Sequence, residues 1–153
     1  MQTLHEELSG HPFLSGMEER LVGAVADCAH DVTFEPGRTI FRQGEEANEF
    51  YLITRGRVAV EMPVASGGTM VIQTLTGGAA LGWSWLVPPH RWRFDARSVE
   101  LTHAVAFDGR CLRGKIETDH DLGYELLRRF AVVMAQRIEA SRIQLIDVYG
   151  AGI

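Results

Sequence analysis

The stretch Val32-Thr33-Phe34-Glu35-Pro36-Gly37-Arg38-Thr39-Ile40-Phe41-Arg42-Gln43-Gly44-Glu45, continued by Glu49-Phe50-Tyr51-Leu52-Ile53 and Arg55-Gly56-Arg57-Val58, decides the fold. Short runs of β-branched and aromatic residues alternate there with single glycines, and the same texture extends to Asp108. The runs are Val32–Glu35, Thr39–Arg42, Phe50–Thr54, Arg57–Met62, Met70–Leu75 and Thr102–Phe107. Between them fall Gly37, Gly44, Gly56, Gly67–Gly68 and Gly77–Gly78, roughly 7 to 12 residues apart, the turn spacing of an all-β sandwich or barrel. An antiparallel, jelly-roll-like β-roll of about eight strands is the expectation for residues 31–108. Phe34, Ile40, Phe41, Tyr51 and Ile53 are expected to line its interior.

Helices flank this middle. Ser15 followed by Glu18 has the form of a capping box opening a helix over about Met17–Cys28, within 15–29, with Leu21, Val22, Val25 and Cys28 on one face. C-terminal helices are expected over 109–149, the last from about Asp121 to Tyr149, with Asp119 and Asp121 near its positive end. In that helix Leu127, Ala131, Met134, Ile138, Ser141, Leu145 and Val148 recur at spacings of 4, 3, 4, 3, 4 and 3, a heptad seam suited to a parallel dimer. A second stripe, Leu126, Phe130 and Val133, lies beside it. One stripe can pack on the roll and the other on a partner, or both can dock within the chain.

Composition narrows the function. At 153 residues the chain is expected to form one domain, residues 1–153. It is 46% hydrophobic and 23% charged, which excludes low-complexity and largely disordered classes. The net charge of −5 argues against a general polyanion binder. Met1–Gly10 carries acids and no apolar core, so it lacks the form of a signal peptide, and a cytoplasmic location is expected. Cys28 and Cys111 have no metal-ligand spacing and are expected to be buried free thiols in a reducing compartment. The six histidines form no paired motif, and neither a nucleophile elbow nor a phosphate loop is present, so no catalytic residue and no metal site is assigned.

The glycine-hydrophobic pattern from Val32 to Val58 resembles the cyclic-nucleotide-binding domain, the sensory half of catabolite-activator-type regulators. Leu75-Thr76-Gly77-Gly78-Ala79-Ala80-Leu81-Gly82 is similar to the lead into that family's phosphate-binding cassette, and the last helix to its dimerising helix. The resemblance implies the β-roll fold, a non-catalytic regulatory role and a nucleotide ligand. In such regulators a helix-turn-helix follows the long helix. Only Gly150–Ile153 follow here, so no DNA contact is expected.

The cassette departs from the family pattern. The family places a Gly-Glu pair here, the Glu accepting from the ribose hydroxyl, and an Arg about ten residues on that clamps the phosphate. This chain has Gly82-Trp83-Ser84-Trp85, then Arg91-Trp92-Arg93 after Pro88-Pro89-His90. Trp83 stands where the Glu belongs, and an indole cannot accept from a sugar hydroxyl. Trp92 falls at the Arg position, leaving Arg91 or Arg93 as the candidate clamp.

Two readings follow. In the first, Gly82, Trp83 and Ser84 supply backbone amides and Arg91 or Arg93 holds phosphate. Trp83, Trp85 or Trp92 then stacks on the ring of a cyclic nucleotide or a nicotinamide dinucleotide. In the second, the pocket is degenerate and the Trp-rich loop docks on a protein, making the chain an accessory subunit of a larger complex, a redox complex among the options. A regular strand over Arg91–Ser98 would send Trp92, Phe94 and Ala96 into the core and leave Arg91, Arg93, Asp95 and Arg97 on the other face.

Overall fold

The structure, a computed structural model, describes the backbone of residues 3–150 and the side chains of residues 3–143. Three helical pieces come first: α1 (Leu4–Ser9), a 3-10 turn (Pro12–Leu14) and α2 (Glu19–Ala26). Eight strands follow: β1 (Ala29–Phe34), β2 (Thr39–Phe41), β3 (Glu49–Arg55), β4 (Arg57–Pro63), β5 (Thr69–Thr76), β6 (Ala80–Leu81), β7 (Asp95–Ser98) and β8 (Thr102–Asp108). Helices α3 (Gly109–Thr118) and α4 (His120–Gly150) close the described chain.

The strands form two antiparallel four-stranded sheets, in the orders β1-β8-β3-β6 and β2-β7-β4-β5. The expected β-roll is present. Its interior is filled by Phe34, Phe41, Tyr51, Ile53, Val58, Val60, Leu81, Trp92, Phe94 and Ala96, with Ile40 only partly buried beside them. A second core lies between the outer face of the first sheet and the helices. There Phe50, Leu52, Val105 and Phe107 meet Leu21, Val25, Leu112, Leu122, Leu126 and Phe130. Strand alternation explains the division: in β3, Tyr51 and Ile53 point into the roll while Phe50 and Leu52 point at the helices.

Three local readings are corrected. The Ser15–Glu18 capping box does not form: α2 starts one residue after Glu18, whose side chain makes no cap bond. The Ser15 amide instead donates to the Pro12 carbonyl, and its own carbonyl accepts from Arg129, so the segment belongs to a turn. A capping box exists further upstream, where Thr3 and Glu6 satisfy each other's backbone amides at the start of α1.

The second correction concerns the cysteines. Cys28 and Cys111 are joined in a disulfide, with Cα atoms 5.8 Å apart. They are 83 residues apart in the chain, but β1 and β8 pair with Ala29 opposite Phe107. Cys28 therefore ends α2's exit beside the first turn of α3, and sheet order alone creates that adjacency. The third correction concerns the short strands: β6 has too few residues to leave a periodic signal, and the regular strand considered over Arg91–Ser98 is confined to Asp95–Ser98, with Arg91 in an isolated bridge to Glu46.

Helix α4 splits its apolar residues between two faces. Leu126 and Phe130 are fully buried against the roll. Leu127 and Ile138 of the heptad seam are 53% and 59% exposed, and Ala131 and Ser141 are exposed with them. Met134 is partly buried, while the side chains of Leu145 and Val148 lie outside the described residues. Among the described residues no helix is long and apolar enough to cross a membrane.

Candidate functional site

A cleft of about 370 Å³ opens between the roll and α4. One wall is the segment Gly78–Trp83 with Gln73 and Leu75 of β5, and the other is the face of α4 carrying Arg128, Arg129, Val133, Gln136 and Arg137. Pro12 and Phe13 close one end. The volume sits at the small end of ligand-binding cavities, which run from roughly 300 to 1,000 Å³.

Gly82 turns the chain from β6 into the cassette with φ +92°, a conformation that favours glycine. Its missing Cβ is also required sterically. A methyl there would come within 2.6 Å of Trp92 Cζ3. The Trp92 ring is stacked on Phe41, with centroids 3.7 Å apart and planes 7° apart. Its backbone is pinned on both sides: the Trp92 amide donates to the Glu45 carbonyl and the Gly44 amide donates to the Trp92 carbonyl.

The seven candidate site residues therefore separate. Gly82 and Trp83 line the cleft. Ser84 and Trp85 are fully buried, the Trp85 ring against Phe50 and Phe130. Trp92 is buried in the roll with Phe94 and Ala96, the inward alternation a strand reading allows. Arg91 Nη1 donates to the Gly44 carbonyl at 2.9 Å, and Arg93 lies 5.4 Å over the Trp83 ring. Neither arginine lines the cleft, and two of the three indoles are unavailable to a ligand or to a docking partner.

The cations at the cleft come from α4. Arg129 ties the helix to the N-terminal segment, donating to the carbonyls of Phe13 and Ser15 and to the Glu125 carboxylate. Arg128 shares the same carboxylate at 3.0 Å, and together the two arginines hold Glu125 below the usual carboxylate range. Arg137 is different. Its guanidinium carbon lies 4.3 Å over the Phe94 ring, and it has no hydrogen bond or ion pair among the described residues. Burial pulls its pKa down. Trp83 meets Phe94 edge to face at 5.8 Å, so two guanidiniums flank a pair of packed aromatic rings.

Two buried polar atoms of the lining also lack partners among the described residues: Gln73 Oε1 and Trp83 Nε1. Buried polar groups are nearly always hydrogen-bonded, and Ser84 Oγ and Trp85 Nε1 behind the lining are unpartnered in the same way, so the whole Trp83–Trp85 turn is short of partners among the described residues. Among the described residues no group of three or more His, Cys, Asp and Glu is placed to hold a metal ion.

The sequence reading missed Arg137 and Gln73. A signal for Arg137 was available, since Leu126, Phe130, Val133 and Arg137 follow one another at spacings of 4, 3 and 4. The arginine extends the very stripe that packs on the roll. For Gln73 there was none, because β5 is largely exposed and its inward positions are not marked by composition.

The architecture is thus a two-sheet roll whose Gly78–Trp83 segment faces a long C-terminal helix across a cleft. The family model for the cyclic nucleotide-binding domain matches residues 31–119, and the chain belongs to that family. It is 23% identical over 145 residues to a CRP-like cAMP-activated global transcriptional regulator of Mycobacterium tuberculosis, covering 95% of this chain and 63% of that one. It is 35% identical over 81 residues to the cAMP-dependent protein kinase regulatory subunit of Schizosaccharomyces pombe, covering 53% of this chain and 18% of the other. Among solved structures, a cyclic nucleotide-binding domain from Methylobacillus flagellatus superposes with a TM-score of 0.79 at 14% identity. That match covers 94% of this chain and 81% of the other. The chain thus spans under two thirds of the length of these curated relatives.

Proposed function

We propose that this chain is a non-catalytic regulatory module that takes a phosphate-bearing nucleotide into the cleft between Gly78–Trp83 and α4. It passes the bound state on through α4 to a second copy of itself. The observation that carries this reading is the division of α4. One side of the helix forms a wall of the cleft, and a neighbouring apolar stripe with Leu127 and Ile138 stands exposed. A ligand that spans the cleft changes the relative free energies of two placements of the helix, and a partner on the exposed stripe reads that change.

The test is a thermal-shift panel of cyclic AMP, cyclic GMP, cyclic dinucleotides, nucleoside monophosphates and nicotinamide dinucleotides. A ligand present at 100 times its dissociation constant stabilises by about 2.7 kcal/mol. For a domain of this size that raises Tm by roughly 5–10 °C. A selective shift supports the sensor. The competing reading, an accessory subunit with a degenerate pocket, draws support from Trp92, whose ring packs against Phe41 inside the roll and is closed to a ligand. A flat panel at millimolar ligand selects it.

A further inference from the structure

We infer that the negative charge of the ligand is read by Arg137 on α4 and not from residues 82–93. The ligand is then a planar aromatic molecule with a terminal oxyanion, rather than one whose phosphate is closed into a ring. This rests on the reading of the cleft as the ligand site.

The charge pattern of the cleft comes first. Its lining holds three arginines and no Asp or Glu, in a chain of net charge −5. Arg128 and Arg129 already share Glu125. Arg137 has only the face of Phe94, and a half-buried guanidinium without an anion is an unfavourable arrangement that a carboxylate or phosphate relieves through a two-pronged contact.

The opposite wall offers no cation. Trp92 fills the space beside Gly82, Arg91 is bonded to the Gly44 carbonyl, and Arg93 lies on Trp83 outside the lining. A cyclic phosphodiester lodged against residues 82–84 would meet aromatic carbon there. An anion at the end of a ligand arm can reach Arg137 while the ring lies along Trp83. Trp83 Nε1 and Gln73 Oε1 are buried behind the lining without partners, so a ligand reaches them only if those side chains turn toward it. A volume of about 370 Å³ holds one ring system and one charged arm.

Calorimetric titration of the full chain and two variants, Arg137→Gln and Arg93→Gln, tests this. The titrants are adenosine monophosphate, cyclic adenosine monophosphate, uncharged adenosine and hydroxybenzoate. The expected result is binding of the terminal monophosphate; binding of hydroxybenzoate alone keeps the role of Arg137 and overturns the nucleotide part of the proposed function. That affinity falls about tenfold or more in Arg137→Gln and is unchanged in Arg93→Gln. Trp83→Phe keeps the ring, loses the N–H and weakens the same ligand, while melting curves confirm that all variants fold. Preferential binding of cyclic adenosine monophosphate, lost in Arg93→Gln and retained in Arg137→Gln, overturns the inference and leaves the sensor reading standing. Equal binding of adenosine removes the role of charge. No binding of any titrant by the unaltered chain defeats both.

Discussion

The indole of Trp92 lies flat on the ring of Phe41, 3.7 Å between centroids, and its far edge occupies the volume that a side chain at position 82 would need. A residue in the cassette has thereby become part of the core of the roll. The consequence is chemical as well as structural, because the space behind Gly82 is filled by aromatic carbon.

Gly82→Ala combines two penalties, a positive φ and a methyl 2.6 Å from Trp92. We expect a loss of about 2–4 kcal/mol in urea unfolding. Gly44→Ala is the control, since its φ is +89° but nothing lies within 4 Å of the added carbon. It should lose only about 1–2 kcal/mol. Equal losses would show that Trp92 yields to the methyl.

The Cys28–Cys111 bridge closes a long loop, for which chain entropy gives about 4.5 kcal/mol, against about 2–4 kcal/mol for disulfides in general. Cys111→Ser and treatment of the unaltered chain with dithiothreitol should lower Tm alike. An unchanged Tm in both would mean that the bridge adds nothing to stability.

His11 gives the fold a pH dependence. It is buried, its Nδ1 accepts from the Phe13 amide at 3.1 Å, and its Nε2 donates to the Ile53 carbonyl at 3.0 Å. Only the neutral Nε2–H tautomer satisfies both contacts, and burial lowers the pKa. The unfolded chain then binds the proton more readily than the folded one. Stability is full above the ordinary imidazole value of about 6.5 and declines as pH falls below it toward the folded pKa. Denaturant midpoints measured between neutral and mildly acid pH should show that decline, and His11→Gln should remove the imidazole part of it.

Leu127→Glu with Ile138→Glu should leave the fold of the single chain intact, because both side chains are exposed on it, and should lower Tm only by the concentration-dependent part that a partner supplies. In sedimentation the unaltered chain is expected as a dimer and the double variant as a monomer. Leu126→Ala, one residue from Leu127 but fully buried, should instead cost about 2–5 kcal/mol. A monomeric unaltered chain would remove pairing through this stripe.

Much of the architecture was legible because its signals are local. Glycines between β-prone runs mark turns, and the inward positions Phe34, Phe41, Tyr51 and Ile53 follow from strand alternation within a few residues. The two stripes of α4 follow from helical periodicity alone, and Leu126 and Phe130 are buried where that periodicity places them. The Val32–Val58 pattern likewise carried the family resemblance that the family match to residues 31–119 supports.

The sequence by itself thus determined the roll and the flanking helices. Tertiary structure decided where the tryptophans and arginines of the cassette sit. Whether an arginine reaches a cleft depends on which neighbour claims it. Arg91 is claimed by the Gly44 carbonyl and Arg93 by the Trp83 face, while Arg137 extends a buried stripe and has no anion. The disulfide belongs to the same class of fact, for its partners are distant in the chain and adjacent only because β1 lies beside β8. Periodicity is a property of neighbouring residues. Partnership across sheets and helices is a property of packing, and no local pattern encodes it.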